Sequence, residues 1–436
     1  MNVLIVGGGG REHALAWSLS KSPKVDNLFC APGNAGIAKL AKCLDTEADD
    51  IGGVVNAAEE NGIDLAVIGP EVPLAMGIVD ALEAAGIRTF GPNKKCARLE
   101  ASKSFTKAFL ERHGIPTAKH MEFADREELL KSIGVFGFPM VIKADGLAAG
   151  KGVVIAETEE VAKNAIEQMM GEKIFGAAGE KVVVEEFLRG VEVSVLCFVD
   201  ENTIIPMESA QDYKRIYDND EGPNTGGMGA YSPSLVLNRE LEKRIMDEIL
   251  APTLNGLKSD GLDFKGVLYA GLMITDSGPM VVEFNNRFGD PETQAVLPRL
   301  ETDLLDILIA TTDNKLSEID IKWSDRKTVC VVLASGGYPG NYEKGYIIEG
   351  LENVDEEALA FHAGTAMEHI CDETSCRQAE ATSGGRVLSV TAIADTHEEA
   401  REKAYNNVAK ISFEGMQYRK DIGLINRHET TYNNKT

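Results

Sequence analysis

The sequence has no apolar run approaching the roughly 20 residues that a bilayer-spanning helix needs, so a transmembrane helix is not expected. Its first ten residues, MNVLIVGGGG, lack the basic flank of a secretory leader and read as a first strand. Positive charge is scarce: 44 Lys and Arg face 69 Asp and Glu. The resulting net charge of −25 repels nucleic acid and anionic membranes. Any anionic substrate must then be caught by local lysines, arginines and backbone N–H groups. The seven cysteines (30, 43, 96, 197, 330, 371, 376) are odd in number and scattered. Only Cys371 and Cys376 are close, and their gap fits no common zinc spacing with the available histidines. Reduced thiols in a cytoplasm are the expectation. Internal repeats and low-complexity segments are absent as well. What remains is an ordinary globular composition, 44% hydrophobic and 26% charged, over 436 residues. That length exceeds one hydrophobic core, so two to four domains are expected.

The organising stretch is VVEFNNRFGDPETQ, residues 281–294. An apolar strand ends there with Glu283 and Asn285, which alternation places on one face. Two hard oxygen donors side by side suit Mg²⁺, which takes one or two protein groups and fills the rest with phosphate oxygens and water. Arg287 continues that face as a fork for an anion, and Asp290 and Glu292 follow.

Upstream, Val3 to Val6 form a short apolar strand leading into Gly7, Gly8, Gly9 and Gly10, then a helical run from Arg11. Strand, glycine loop and helix N-terminus make an anion cradle. A dinucleotide fingerprint needs a third glycine where Glu12 stands, which argues against NAD and leaves a smaller phosphate ligand. Strands at 27–30, 64–68 and 88–90 alternate with helices near 48–60 and at 74–85, predicting a parallel sheet covered on both faces. The turns beginning at Gly69 and Gly91 sit at strand carboxyl ends, where either ligand contacts or simple turn chemistry would place them.

Ser102 is read as the cap of a helix that carries Lys103 and Lys107 on one face, a pair that alone reads as a solvated face. Lys143 interrupts an apolar strand and needs an anionic partner. The run 146–152, GLAAGKG, matches a Walker loop poorly and reads better as a Gly-rich flap, since the strand 153–156 follows it. By pattern alone Glu185 and Glu192 are ordinary surface or strand carboxylates. The loop from Asp218 to Tyr231 is glycine-rich enough that ordering by a ligand is expected.

Taken together, Lys103, Lys143, the 146–152 flap, the Glu185-Glu186-Phe187-Leu188 hinge, Glu192 and the Glu283/Asn285 pair resemble the ATP-grasp framework in its usual order. The segments 7–14, 144–152, 224–231 and 287–294 resemble the glycinamide ribonucleotide synthetase family of purine biosynthesis, and the likeness runs from Met1 to about Leu424. The resemblance implies a carbon–nitrogen ligase that joins glycine to 5-phosphoribosylamine through glycyl phosphate. It implies ATP as co-substrate and Mg²⁺ or Mn²⁺ on Glu283 and Asn285. ATP contacts fall to Lys103, Lys143, Gly150, Lys151, Gly152, Glu185, Glu186, Leu188 and Glu192. Arg287 is assigned to the glycine carboxylate, Asp212 to its ammonium and Asp290 to the phosphoribosylamine. Gly8, Gly9, Gly10 and Arg11 would hold the ribose 5-phosphate, with Gly226, Gly227 and Met228 beside the substrate.

The implied architecture is an N-terminal α/β domain (1–101), an ATP-grasp core (102–120 and 189–322), a lid (121–188), a C-terminal α+β domain (323–425) and a polar tail (426–436). Small molecules alone are the expected partners, without nucleic acid or membrane, and the expected state is a cytoplasmic monomer. A biotin-carboxylase-like ligase of the same superfamily would share Lys143, Glu283 and Asn285 but not 287–294. A Rossmann-type dinucleotide-binding protein is the more distant alternative.

Overall fold

The computed structural model describes residues 1–148, 152–371 and 376–424. The flap residues Gly150 and Lys151 and the tail 426–436 lie outside these.

The first sheet is parallel, in the order Lys42–Cys43, Asn27–Pro32, Asn2–Gly7, Leu65–Ile68, Arg88–Phe90. Its central strand shows why both faces are covered. Leu4 and Val6 join a cluster with Val54, Ala58 and Leu82, whereas Val3 and Ile5 point the other way toward Leu15, Phe288 and Phe361. Alternation thus divides one apolar strand between two cores. Strand order reverses between Asn2–Gly7 and Leu65–Ile68, and such a switch point opens a crevice at the carboxyl ends. The glycine loop lies there. The helix expected over 74–85 is instead two helices, Glu71–Met76 and Ile78–Ala84, broken at Gly77 with φ +101°.

A four-stranded antiparallel sheet, Ile204–Pro206, Val191–Val199, Gly266–Thr275 and Gly278–Asn285, forms the middle of the molecule. The lid has its own antiparallel sheet, His120–Phe123, Val182–Glu186, Met140–Ala144 and Val153–Ala156, and its own core around Ile142, Ala162 and Val184. The helix Lys103–Arg112 joins the two, and Ser102 caps it as expected, accepting from the Phe105 N–H at 3.2 Å.

The last sheet departs from the expected boundary at 323. Its order is Gln211–Asp212, Gly229–Ser232, Lys327–Ala334, Arg386–Ala394, Ala358–His362, so two strands from the middle of the chain complete it. The segment 218–231 also differs from expectation. In place of the expected loop it holds strands: Arg215–Tyr217 pairs with Glu221–Asn224 as a hairpin, and the strand Gly229–Ser232 follows. Backbone bonds order it: Thr225 N–H donates to Lys214 O at 2.7 Å and Met228 N–H to Tyr213 O at 2.7 Å.

The N-terminal and C-terminal sheets meet across histidines. His13 Nδ1 accepts from the His362 N–H at 2.7 Å, and Asn34 Nδ2 donates to both Gly8 O and His362 O at 2.9 Å. Burial, then the charges of His362 and Lys39, hold His13 down to about 3. The unfolded chain therefore binds a proton near pH 6.5 that the folded protein refuses, so this group costs stability as pH falls from 6.5 toward 3. The cost is about 1.4 kcal/mol per pH unit. Asp212, pushed up to about 7 by burial, works in the opposite direction. A His13→Asn variant isolates the term, because the amide oxygen can accept the same N–H. Its melting temperature should fall less than the wild type's between pH 6.5 and 4, and parallel curves would reject the assignment.

Candidate active site

Two groups of charged side chains lie along the segment 283–290. The first stands where the lid meets the middle sheet. A β-bulge at Val282, between Gly271 and Leu272 of the partner strand, turns the Val282 carbonyl toward Lys143, whose Nζ donates to it at 3.0 Å. Beyond the bulge Glu283 and Asn285 share a face, with Asn285 Nδ2 3.4 Å from Glu283 Oε1. Glu283 Oε2 lies 3.9 Å from Lys103 Nζ. Burial would raise the Glu283 carboxyl, but Lys103, Lys214 and Lys143 hold it down to about 2. This is an ionised carboxylate beside an amide whose oxygen a half-turn brings into line. As a donor set it fits a hard divalent cation that takes its remaining ligands from phosphate.

Lys143 has the anionic partner that its strand position requires: its Nζ is 2.9 Å from Glu185 Oε1. Glu185 is therefore no surface carboxylate but a buried one, 3% exposed. Lys107 reaches its other oxygen at 3.0 Å, so Lys107 belongs to the interior rather than to a solvated face. Glu192 is paired with Lys214, which also lies near Asp212 and Glu283. Burial works against the Lys214 ammonium, yet Glu192 and Asp212 push it well above the usual lysine range. Asp212 accepts from Ser194 Oγ at 3.3 Å, and Ser194 bonds Tyr269, whose hydroxyl donates to Glu292 Oε1 at 2.8 Å.

Sequence reasoning passed over Lys214. The available signal was its place two residues after Asp212 at the end of a short strand, on the same side of the chain. It also passed over Asp145, which accepts from Ser102 Oγ at 3.0 Å, Ser104 N–H at 3.1 Å and Ser104 Oγ at 2.5 Å. These bonds fasten the root of the flap to the Lys103 helix.

The second group borders a cavity of about 370 Å³ lined by Gly8, Gly9, Asn34, Asp290, Thr365 and Arg386, among others. Close packing of 287–294 on the glycine loop creates it. A Cβ on Gly10 would sit 2.5 Å from Gln294 Nε2, and one on Gly227 (φ +114°) 2.4 Å from Pro291 Cδ. Asp290 meets Arg386 Nη1 at 3.2 Å and accepts from Gln294 at 2.8 Å. Burial pushes its carboxyl up, but Arg386 and Arg11 hold it below the usual range. Arg386 also donates to Gly226 O and Asp290 O at 2.7 Å each, tying the C-terminal sheet to this wall.

Several expected contacts are arranged differently. Glu12 Oε2 accepts the Gly9 N–H at 2.6 Å, and its other oxygen holds Arg11 Nε at 2.6 Å. Glu12 thus spends one donor of the cradle, a second physical reason why the loop is no dinucleotide site. Arg11 is 6% exposed and donates to Phe288 O at 3.0 Å, so it bears on the cavity through its charge rather than as a free fork. Met228 must be withdrawn as a substrate contact: its side chain is 0% exposed among Ile216 and Ala334, and its backbone bonds Tyr213 and Val332. Arg287 is not bare, since its Nε lies 3.0 Å from Glu71 and 3.3 Å from Glu100. Burial raises the Glu100 carboxyl against the pull of Arg287, while Arg287 keeps its proton firmly. Glu71 is one of the turn residues at strand carboxyl ends, and the structure pairs it with Arg287.

Many known proteins are similar to this chain. Models of the N domain, ATP-grasp (A) domain and C domain of phosphoribosylglycinamide synthetase match residues 1–100, 101–293 and 328–425. The chain is 48% identical over 422 residues to a phosphoribosylamine–glycine ligase of Caldanaerobacter subterraneus subsp. tengcongensis, covering 97% of this chain and 99% of that one. A solved phosphoribosylamine–glycine ligase from Thermotoga maritima superposes with a TM-score of 0.83 at 35% identity, covering 97% and 100% of the two chains. A biotin carboxylase–ATP-analogue complex from Campylobacter jejuni, at 15% identity and TM-score 0.70 over 97% and 94%, shares the fold. Matched in all three domains and along nearly its whole length, the chain belongs to the phosphoribosylglycinamide synthetase family of ATP-grasp enzymes.

Proposed function

We propose that the protein joins glycine to 5-phosphoribosylamine at the expense of ATP, giving glycinamide ribonucleotide, ADP and phosphate for purine biosynthesis. One observation carries the reading: the single segment from Glu283 to Asp290 holds at one end a carboxylate ringed by lysines and at the other a wall of the glycine-loop cavity. A nucleotide at the first and a phosphorylated amine at the second would present their reacting ends to Arg287 between them.

A carboxylate and an amine do not condense in water without a better leaving group than hydroxide. Glycine's carboxylate oxygen attacks the γ-phosphorus, the bond to the β-phosphate oxygen breaks, and ADP leaves. The amine nitrogen of phosphoribosylamine then attacks the acyl carbon, loses a proton and expels phosphate. Two of the anions that meet in the first step repel by about 4 kcal/mol at 4 Å and intermediate dielectric. Lys103, Lys143 and Lys214 supply compensating charge around Glu283. Glu283 and Asn285 would hold Mg²⁺ or Mn²⁺, which when bound spreads the developing phosphate charge. Adenine fits the hinge backbone at Glu186 and Leu188, with Glu192 toward the ribose. Arg287 takes the glycine carboxylate, Asp212 its ammonium, and Asp290 the phosphoribosylamine. The ribose phosphate rests on the backbone of Gly8 and Gly10, with Gly226 and Gly227 beside it. The flap of 146–152, which includes Gly152, excludes water from an acyl phosphate that hydrolyses readily.

Among the described residues no helix is long and apolar enough to cross a membrane. The charge of −25 disfavours nucleic acid, and small molecules are the partners we expect. A cytoplasmic monomer is the state we expect.

The test is ADP release by the purified protein with Mg²⁺ and glycine, with and without freshly made phosphoribosylamine. Release should require glycine and rise on adding the amine. Release indifferent to glycine would sink the reading.

A further inference from the structure

Where lid meets core, two lysines share one carboxylate. Lys107, Lys143 and Glu185 are each 3% exposed. Glu185 Oε2 is 3.0 Å from Lys107 Nζ and Oε1 is 2.9 Å from Lys143 Nζ. Each ammonium is also tied to the strand that carries Glu283. Lys107 donates to Thr117 Oγ1 at 2.7 Å, and Thr117 donates to Val281 O at 2.7 Å. Lys143 donates to Val282 O at 3.0 Å.

A buried Lys143–Glu185 pair by itself would be neutral, and a neutral pair gives a phosphate nothing. Lys107 changes the sum to one net positive charge. Drawing Glu185 toward itself, it leaves the Lys143 charge uncancelled on the side facing Glu283. We propose that Lys107 is a positioning residue for the nucleotide, acting through Glu185 to leave the Lys143 charge uncancelled, in place and available to the ATP phosphates. This rests on the nucleotide reading of the site around Glu283 and assigns a role to a residue that does not itself touch ATP. Crowding of the two ammoniums agrees with it: burial lowers Lys107 to about 8, opposed by Glu185 and reinforced by Lys143.

The experiment is calorimetric binding of MgADP to the full chain, with KM for ATP and glycine measured in parallel. Wild-type protein must bind MgADP, and failure at that step would overturn the function rather than this inference. Lys107→Met should weaken MgADP binding and raise KM for ATP by about tenfold, because Glu185, no longer shared, then cancels the Lys143 charge. KM for glycine should stay within about twofold, because Arg287 and its partners are untouched. The double variant Lys107→Met/Glu185→Gln restores a net charge of one on Lys143 and should recover most of the lost affinity. Unchanged MgADP binding in the single variant, equal losses for ATP and glycine, or a double variant no better than the single would each overturn the proposal. Where Lys107→Met alone does not fold, the double variant is compared with Glu185→Gln. Equal affinities show that Lys107 acts through Glu185, whereas a tenfold weaker double variant shows direct action on the nucleotide and overturns it.

Discussion

Replacing Glu283 with alanine is expected to lower turnover by about 10³-fold or more, the upper range for deleting one preorganised electrostatic group in a closed site. The size of the effect follows from what surrounds the carboxylate. Three lysines converge on it, and their pull overcomes burial to hold it down to about 2. It is thus ionised throughout the working range, as an oxygen donor to a divalent cation must be. The fold should survive the change. Lys143 keeps Glu185 and Val282 O, Lys214 keeps Glu192, and Lys103 keeps the Glu100 carbonyl at 3.5 Å, so no ammonium is stranded. Circular dichroism should therefore match the wild type while glycine-dependent ADP release disappears. A second readout has a definite sign. A carboxyl held below its unfolded value near 4.5 contributes stability above that pH and loses it as pH falls toward 2. The variant should accordingly lose less stability than the wild type across that acid window. Retained turnover would remove Glu283 from the metal role.

The second large effect is expected at Arg287. Arg287→Lys should raise KM for glycine by about 100-fold, because lysine keeps the charge but not the planar fork that grips a carboxylate. The conservative replacement matters here. Glu71 and Glu100 flank the guanidinium at 3.0 and 3.3 Å, and an uncharged residue would leave both carboxylates unpaired in a buried place. Breaking such a cluster costs about 3–5 kcal/mol and would confuse a binding defect with unfolding. With lysine, KM for ATP should move only a few-fold, since the nucleotide lysines lie on the other side of Glu283. Steady-state titration of each substrate, with a melting curve alongside, separates the cases. An unchanged glycine KM would make Arg287 a structural arginine that braces Glu71 and Glu100.

Both predictions come from a segment that was legible before any coordinates. Local chemistry explains why. The order of apolar and polar residues in 281–294 sets strand, alternation and turn through the backbone alone, and the same holds for Val3 to Gly10 and the Ser102 cap. The parallel first sheet was legible for the same reason, since its strands and helices alternate with short connections. The helix expected over 74–85 shows the limit of such reasoning: its apolar spacing continues across Gly77, but the backbone turns there.

What the chain alone determined is therefore the inventory of groups and their faces. It supplied a carboxylate–amide pair on one strand edge, lysines at 103 and 143, a glycine loop before a helix, and an arginine following the metal pair. Tertiary structure decided which charges meet. It brought Lys107 to Glu185 across 78 positions of sequence, Lys214 to Glu192, Arg386 to Asp290, and Glu71 and Glu100 to Arg287. It also made Met228 core and placed Glu12 on the glycine-loop amide. Such pairings depend on Coulomb forces and burial between elements distant in sequence, and no local periodicity encodes them. The stretch from Glu283 to Asp290 was visible in one dimension as a cluster of polar groups. Only in three does it join the lysine cluster around Glu283 to the glycine-loop cavity at Asp290.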